Sequence, residues 1–289
     1  MNYALFLGCN IPARVPQYDQ AARAVLNRLG VEVLDIPDFN CCGYPMRDTD
    51  SQAFLLSSAR NLALAEQSGL DMMVLCKCCF GALKAASYAL AQDSALKNEI
   101  NALLEPEKLS YQGKVKVKHF FSVLQDSVGL DEVKKKVERP FQGLRIATHY
   151  GCHALRPSAV TEFDDPVNPS LFDKLVEATG AESVDWAEKT DCCGAPLMGA
   201  NDELSLKITG KKLKGARKAG AHFLCAGCPY CQMQFDTVQA SFIKSEPGKG
   251  PMASILYPQL LGLSMGIDAK DLGLDNNCLD ISSIKLFLK

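Results

Sequence analysis

The chain has little excess of either charge. Its 289 residues include 31 Lys and Arg against 33 Asp and Glu, which gives a formal net charge of −2. A dedicated nucleic-acid binder usually carries a strong basic excess, so we expect no nucleic-acid partner. No stretch approaches the roughly 18 uncharged apolar residues of a membrane-spanning helix, and the first residues lack the basic region of a secretory signal. The sequence therefore predicts a cytoplasmic protein with no membrane span.

Several catalytic motifs are also missing. The chain has no P-loop and no G-x-G-x-x-G, so nucleotide-binding and dinucleotide-binding interpretations have no support. It also lacks the C-x2-C-x2-C-x3-C-P run that holds conventional cubane clusters. What the chain has in abundance is cysteine, with 13 residues. In a protein that is not exported these thiols stay reduced, so their number indicates metal or redox chemistry rather than disulfides.

Ten of the 13 cysteines form one pattern that occurs twice. The run CCGYP at 41–45 recurs as CCGAP at 192–196, and each run is preceded by one cysteine and followed by a C-x-x-C. The first set is Cys9, Cys41, Cys42, Cys76 and Cys79, and the second is Cys152, Cys192, Cys193, Cys228 and Cys231. Such a repeat predicts a duplicated fold with one site in each copy.

Apolar runs alternate with stretches of helical spacing in both halves. Buried strands are predicted at 3–8, 31–36, 72–75, 145–150, 182–186 and 221–224, and helices at 17–29, 52–67, 81–91, 169–178 and 202–219. The alternation predicts an α/β fold of two pseudo-symmetric Rossmann-like halves with parallel sheets. The cysteines of the pattern then lie just beyond the carboxyl ends of strands, the edge at which open α/β sheets bind ligands.

The halves have predicted boundaries. We expect residues 1–100 to form the first half, 101–142 a connecting segment, and 143–289 the second half. The connecting segment is polar and contains a short strand-like run at 114–118. The tail begins at Lys244, carries the run PGKGP at 247–251, and continues into an apolar run at 255–265. We interpret this tail as a segment that wraps around the second half and closes it.

Five thiols in each half exceed the needs of the common metal sites. Structural zinc takes four ligands, and a conventional four-iron cluster also takes four. Neighbouring cysteines converge on one site when they lie in a Gly-Pro turn, so the CCGxP element suits two adjacent iron atoms. Cys79 and Cys231 each open a predicted helix, whose dipole favours the thiolate that binds metal.

The remaining candidates have no counterpart in the repeat. Cys78 lies inside the first C-x-x-C and Cys225 three residues before the second, so spacing alone allows either to be a ligand. Cys278, in the tail, is interpreted as a bystander. His153 directly follows Cys152 and is our candidate catalytic residue, a proton donor beside the second site, although a packing role stays open. His149, on the predicted strand that ends just before Cys152, is a weaker candidate.

The two motifs resemble the cysteine-rich CCG family, specifically the B subunit of heterodisulfide reductases. The resemblance covers essentially the whole chain, and the segment HYGCHALRP at 149–157 is similar to the second leading-cysteine segment of that protein. It implies that each half holds one noncubane [4Fe-4S] cluster on its five cysteines. It also implies that the clusters face a cavity between the halves, where a disulfide is cleaved and each sulfur meets an iron. The additional thiol of Cys78 departs from the family pattern.

The resemblance further implies a function and partners. In methanogens the substrate is the mixed disulfide of coenzymes M and B. Two partners are implied: the C subunit, which is ferredoxin-like and carries iron–sulfur clusters, and the A subunit, which contains flavin. Disulfide reduction takes two electrons, which two one-electron clusters could supply. Two alternatives stay open: a CCG-type electron-transfer subunit of a lactate, glycolate, fumarate or succinate oxidoreductase, and a zinc-stabilised scaffold. One cluster together with zinc is the alternative cofactor content.

Overall fold

The computed structural model describes residues 1–244 and 250–289, so positions 245–249 of the predicted tail lie outside the described residues. In the described part, eight strands form two four-stranded sheets with parallel pairing throughout. The strands are β1 (Asn2–Phe6), β2 (Glu32–Asp35), β3 (Met72–Val74), β4 (Val117–His119), β5 (Arg145–His149), β6 (Glu182–Ser183), β7 (Phe223–Ala226) and β8 (Ser254–Leu256). Their order is β2-β1-β3-β4 in one sheet and β6-β5-β7-β8 in the other. The same order in both halves confirms the predicted duplicated α/β fold.

Helices connect the strands. They are α1 (Asn10–Arg14), α2 (Pro16–Arg28), α3 (Ser51–Ser68), α4 (Lys77–Gln92), α5 (Ser94–Leu104), α6 (Phe120–Ser122), α7 (Leu130–Lys135), α8 (Ser158–Thr161), α9 (Leu171–Glu177), α10 (Asp202–Lys218), α11 (Pro229–Met233), α12 (Gln239–Phe242) and α13 (Tyr257–Ser264). The long helices α3 and α10 occupy equivalent places and begin in the same way. The side chain of Asp50 caps α3 and that of Asn201 caps α10, each accepting a backbone N–H three residues ahead.

The two sheets form the cores of the halves. Four of the five residues of β1 and of β5 are buried. Helices cover a parallel sheet on both faces, so its strands are apolar on successive residues rather than on alternate ones. This is why short continuous apolar runs located the strands in the sequence. β6 is shorter than predicted, because only Glu182 and Ser183 pair with β5.

The predicted connecting segment 101–142 also contributes a strand to the first sheet. It supplies β4, which pairs with β3 in the first sheet through Val74 and His119. The strand-like run was placed at 114–118, whereas the strand itself spans Val117–His119. The domain boundaries stay a prediction, but the first sheet is incomplete without residues from this segment.

The tail has the equivalent role in the second half and also reaches the first. β8 pairs with β7 and completes the second sheet. Helix α13 then packs against α2 of the first half, while the hydroxyl of Tyr257 donates to the carbonyl of Leu175 at 3.0 Å. The tail therefore completes the second sheet, and it also contacts the first half through α13.

Candidate metal centres

The five predicted ligands of the first half line one pocket. Cys9 follows β1, Cys41 and Cys42 lie in the loop after β2, and Cys76 follows β3 and precedes α4. Cys79 lies in the first turn of α4, whose N-cap is Cys76. Hydrogen bonds link Cys42 to Cys41 and Cys79, and link Cys76 to Cys79. Three separate strand ends thus deliver these thiols to one place.

The second half repeats this arrangement. One pocket is lined by all five predicted ligands, Cys152, Cys192, Cys193, Cys228 and Cys231. Hydrogen bonds run from Cys152 through Cys192 and Cys193 to Cys231, and from Cys231 to Cys228. Cys228 is the N-cap of α11, as Cys76 is of α4. The two thiol sets are therefore equivalent in position as well as in spacing.

The backbone conformation explains the glycine of the CCG turn in each copy. Gly43 and Gly194 have φ angles of 80° and 95°, a conformation that favours glycine. A Cβ at Gly43 would also lie 2.8 Å from the carbonyl oxygen of Phe54 on α3. The helix after each turn then holds the turn: Ser58 Oγ donates to the carbonyl of Cys42 at 2.7 Å, and Thr209 Oγ1 donates to that of Cys193 at 3.0 Å.

The crowded thiols favour a thiolate in each pocket. Hydrogen bonds from Cys41 and Cys79 hold the pKa of Cys42 well below the usual thiol range. Hydrogen bonds from Cys152 and Cys193 lower the pKa of Cys192 to about 2. The amide of Gly194 also donates to Cys192 Sγ at 3.3 Å. Since the thiolate is the form that binds metal, each set contains at least one thiol whose pKa is shifted towards that form.

The two pockets meet at the interface between the halves. Cys76 Sγ lies 3.9 Å from Cys228 Sγ, so one thiol from each set touches the other. Pro229 and Tyr230 of the second half line the first pocket, and Cys78 of the first half lines the second. The two thiol sets therefore contact each other across the interface between the halves.

The three cysteines outside the repeat have different surroundings. Cys78 lines both pockets, and its sulfur lies within 4.8 Å of those of Cys76 and Cys228. Cys225 is fully buried inside β7, where burial raises the pKa of its thiol. Cys278 is exposed in the tail, with its sulfur 3.5 Å from the hydroxyl of Thr237. Of the three, Cys78 alone lies at the centres.

His153 bridges the two halves. Its Nδ1 lies 3.3 Å from Cys78 Sγ and 3.7 Å from Cys152 Sγ. Its Nε2 lies 3.2 Å from the hydroxyl of Tyr44, which belongs to the first half. Burial lowers the pKa of His153 from its ordinary value. The imidazole thus stands in the second pocket with polar contacts on both ring nitrogens. His149 lies deeper and is fully buried.

Sequence reasoning missed Lys77. This lysine is buried, and its ammonium group donates to the carbonyls of His149 at 3.2 Å and Tyr150 at 3.0 Å. The ring of Phe172 lies 4.8 Å from Nζ, a cation–π contact. Lys77 follows Cys76, and its two acceptors precede Cys152, so it ties the two thiol sets together. The signal in the sequence is a lysine inside a C-x-x-C where the other copy has proline, Pro229.

The donor set fits iron–sulfur clusters. Thiolates are soft ligands that select iron–sulfur clusters, zinc and copper(I). Each pocket is lined by five thiols of the repeated pattern. The fold and the site together define a two-halved α/β protein with a cysteine-lined metal centre in each half.

Comparison with known proteins identifies the family. The cysteine-rich domain family CCG matches residues 3–84 and 146–236, one match in each half. The B subunit of the ferredoxin:CoB-CoM heterodisulfide reductase of Methanosarcina mazei is 34% identical over 281 residues, covering 96% of this chain and 93% of that protein. The chain therefore belongs to the cysteine-rich CCG family and is a relative of the B subunits of heterodisulfide reductases, as the sequence analysis expected.

Two further likenesses are informative. The 8-methylmenaquinol:fumarate reductase membrane anchor subunit of Wolinella succinogenes is 34% identical over 283 residues, covering 98% of both chains. A hypothetical protein from Helicobacter pylori has the same fold, with a TM-score of 0.75 and 19% identity. That alignment covers 97% of this chain and 52% of the other, so this chain spans about half of its length. Across residues 1–244 and 250–289, no helix is long and apolar enough to span a bilayer.

Proposed function

We propose that the protein is the catalytic iron–sulfur subunit of a heterodisulfide reductase-type complex, which reduces a small mixed disulfide to two thiols. The observation that carries this proposal is the meeting of two five-thiol pockets, with Cys76 Sγ and Cys228 Sγ 3.9 Å apart. A disulfide bound between the halves would have one pocket on each side of its S–S bond. Relatives named as CoB-CoM heterodisulfide reductase subunits support the same assignment.

The cofactors in this proposal are two noncubane [4Fe-4S] clusters, one in each pocket. Their ligands are Cys9, Cys41, Cys42, Cys76 and Cys79 in the first, and Cys152, Cys192, Cys193, Cys228 and Cys231 in the second. When bound, such clusters supply one electron each and iron atoms that coordinate sulfur. The overall reaction consumes two electrons and two protons for each disulfide.

The side chains around the interface orient the disulfide and exclude water. Tyr230 lines both pockets, and Tyr44 fixes the ring of His153 through its hydroxyl. We propose His153 as the catalytic residue, because its ring contacts thiols of both halves and so lies where a cleaved sulfur departs. Its role is to give a hydrogen bond, and then a proton, to that sulfur.

The proposal includes partners. The chain has no ferredoxin-type cysteine run, so its electrons come from elsewhere. We propose that the immediate donor is the ferredoxin-like iron–sulfur C subunit of the same cytoplasmic complex, and that this donor is supplied in turn by the flavin-containing A subunit. The coenzyme M–coenzyme B disulfide is the substrate to try first, because relatives are named for it.

A second candidate function is electron transfer without disulfide cleavage. The fumarate reductase subunit of Wolinella succinogenes is as similar to this chain as the heterodisulfide reductase subunit of Methanosarcina mazei. Both functions use the same ten thiols, so the ligand set does not separate them. The difference lies in whether a disulfide reaches the interface between the pockets.

The first experiment is to purify the chain without oxygen and measure iron, sulfide and zinc per chain, before and after cluster reconstitution. We expect iron and sulfide for two four-iron clusters. Adding the coenzyme M–coenzyme B disulfide, and then other small disulfides, should change the electron paramagnetic resonance signal of the oxidised clusters. Stoichiometric zinc with little iron would refute both redox functions and leave a scaffold, while one cluster together with zinc would refute the two-cluster assignment. Intact clusters that no disulfide perturbs would favour the electron-transfer function.

The role of His153 has its own test. His153→Ala should slow turnover at unchanged iron content, because the thiols keep their positions while the departing sulfur loses its donor. His222→Ala is the matched control, since His222 is exposed and directly precedes β7, at its amino end. Unchanged kinetics in His153→Ala would assign the residue to packing.

A further inference from the structure

His149 is a buried imidazole beside the second metal centre. It is the last residue of β5 and has no exposed surface. Its ring packs edge-on against Phe235, with centroids 4.9 Å apart and planes at 88°. One ring nitrogen lies within 4.8 Å of both Cys193 Sγ and Cys231 Sγ, two of the five thiols of that centre.

Neither ring nitrogen of His149 has a hydrogen-bond partner among the residues that the structure describes. In either protonation state an imidazole carries at least one N–H. A buried polar group without a partner is destabilising, and such groups in native proteins call for an explanation, such as a bound ion. The second pocket is close to the ring, because Cys193 and Cys231, the two thiols near the ring, line that pocket.

The first half has phenylalanine in the equivalent place. Phe6 lies three residues before Cys9, as His149 lies three residues before Cys152, and both are fully buried. The geometry agrees with the spacing. A Cβ added at Gly8 would lie 3.6 Å from Phe6 Cε1, and one added at Gly151 would lie 3.3 Å from His149 Nε2. The phenyl ring can neither donate to sulfur nor bind metal, so the two centres differ in this contact.

We propose that His149 donates an N–H hydrogen bond to a sulfur of the second metal centre and makes that centre easier to reduce than the first. This inference rests on the proposed function, in that it takes each pocket to hold a cluster. Hydrogen bonds to the sulfurs of a cluster stabilise the added negative charge of the reduced form and so change its reduction potential. His149 is a positioning and tuning residue here, and the ten cysteines remain the ligands.

The consequence is a direction for the electrons within the chain. Two identical centres would share an electron equally, whereas a donor at one centre alone localises it there. The first electron to enter would therefore rest on the second centre, beside His153, and the second electron would occupy the first centre. A disulfide between the pockets would meet two centres of different reducing strength.

The test is a redox titration of the reconstituted chain followed by electron paramagnetic resonance, with iron and sulfide measured on each sample. The variants are His149→Phe, which copies the first half, His149→Gln, which keeps an N–H donor, and Phe6→His, which gives the first centre a candidate donor. Wild type should show two separate potentials. His149→Phe should lower the higher one and leave the other unchanged, at full iron content. His149→Gln should retain most of the separation, and Phe6→His should raise the lower potential.

A nitrogen label gives a second readout. With ¹⁵N-histidine, wild type should show a weak nitrogen coupling to the reduced second centre that His149→Phe removes. Equal potentials in wild type and His149→Phe, with no change in coupling, would overturn the inference while the clusters remain. Loss of the iron of the second centre from both His149→Phe and His149→Gln, in chains that still hold the first centre, would also overturn it, because His149 would then be a ligand. Absence of clusters from wild type is a failure of the proposed function instead, and the iron measurement reports it separately.

Discussion

Gly81 lies at a close approach between the two halves near the centres. It lies on α4, two residues after Cys79, and a Cβ placed on it would lie 2.5 Å from the carbonyl oxygen of His153. Carbon and carbonyl oxygen atoms normally pack at about 3.3–3.6 Å. Gly81→Ala would therefore force α4 and the His153 segment apart by several tenths of an ångström or more, and neither is a flexible side chain that can turn away.

The magnitude follows from two opposing effects. Alanine in a helix interior is favoured over glycine by about 1 kcal/mol. Overpacking against a fixed neighbour costs about 1–3 kcal/mol. We expect Gly81→Ala to destabilise the metal-free chain by up to about 2 kcal/mol as the net of these. Gly210→Ala is the matched control, because Gly210 lies on α10 and a Cβ there meets nothing within 4 Å. That variant should be stabilised by up to about 1 kcal/mol.

The assay is urea unfolding of both variants and wild type, followed by circular dichroism. A second measurement is cluster retention after reconstitution, because α4 carries Cys78 and Cys79 and the displaced segment carries Cys152. We expect Gly81→Ala to lose iron faster than Gly210→Ala. If Gly81→Ala unfolds at the same urea concentration as Gly210→Ala, the two halves do not pack as tightly as the structure shows and the reasoning fails.

Other changes have equally definite outcomes. Cys42→Ser should lose the iron of the first centre and Cys193→Ser that of the second, each leaving about half of the total; full iron and turnover in Cys42→Ser would contradict the pairing of thiols in the CCG turn. Lys77→Met keeps the aliphatic stem but removes two hydrogen bonds, of 3.0 and 3.2 Å. It should lower the stability of the metal-free chain by about 2 kcal/mol in the same urea assay. An unchanged urea midpoint would contradict this prediction. Cys278→Ser should change stability by less than about 0.5 kcal/mol and keep all the iron, because the residue is exposed; a lost cluster there would break the assignment by repeat.

Much of the fold could be predicted because parallel strands are buried on both faces. Continuous apolar runs therefore marked β1, β3 and β5 in the sequence, and glycines after helical stretches marked the ends of helices. Two features escaped. The start of α4 was predicted at 81, whereas the helix begins at Lys77, directly after Cys76. β4 belongs to the first sheet only through its pairing with β3, which is distant along the chain. The local sequence of β4 does not encode which strand it pairs with.

The candidate ligands could be predicted because the pattern occurs twice, and a doubled pattern separates ten cysteines from three. The contacts of Lys77 and Tyr44 between the pockets could not be predicted. Lys77 acts through carbonyls some 70 residues away in the other half, and Tyr44 acts through the ring of His153. Such contacts depend on how the halves dock. Nothing in the spacing of residues within one half reports that docking.

A duplicated fold offers a further source of information, since each position has a counterpart that serves as its control. Where both copies carry the same residue type, as at the CCG glycines and the hydroxyls of Ser58 and Thr209, the shared geometry explains the choice. Where the copies differ next to the thiols, the fold alone gives no reason for the difference. Lys77 against Pro229 and His149 against Phe6 are two such positions, and in each pair only one member carries a polar side chain. Because the shared fold requires neither group, these two positions are where a functional difference between the pockets should be sought first.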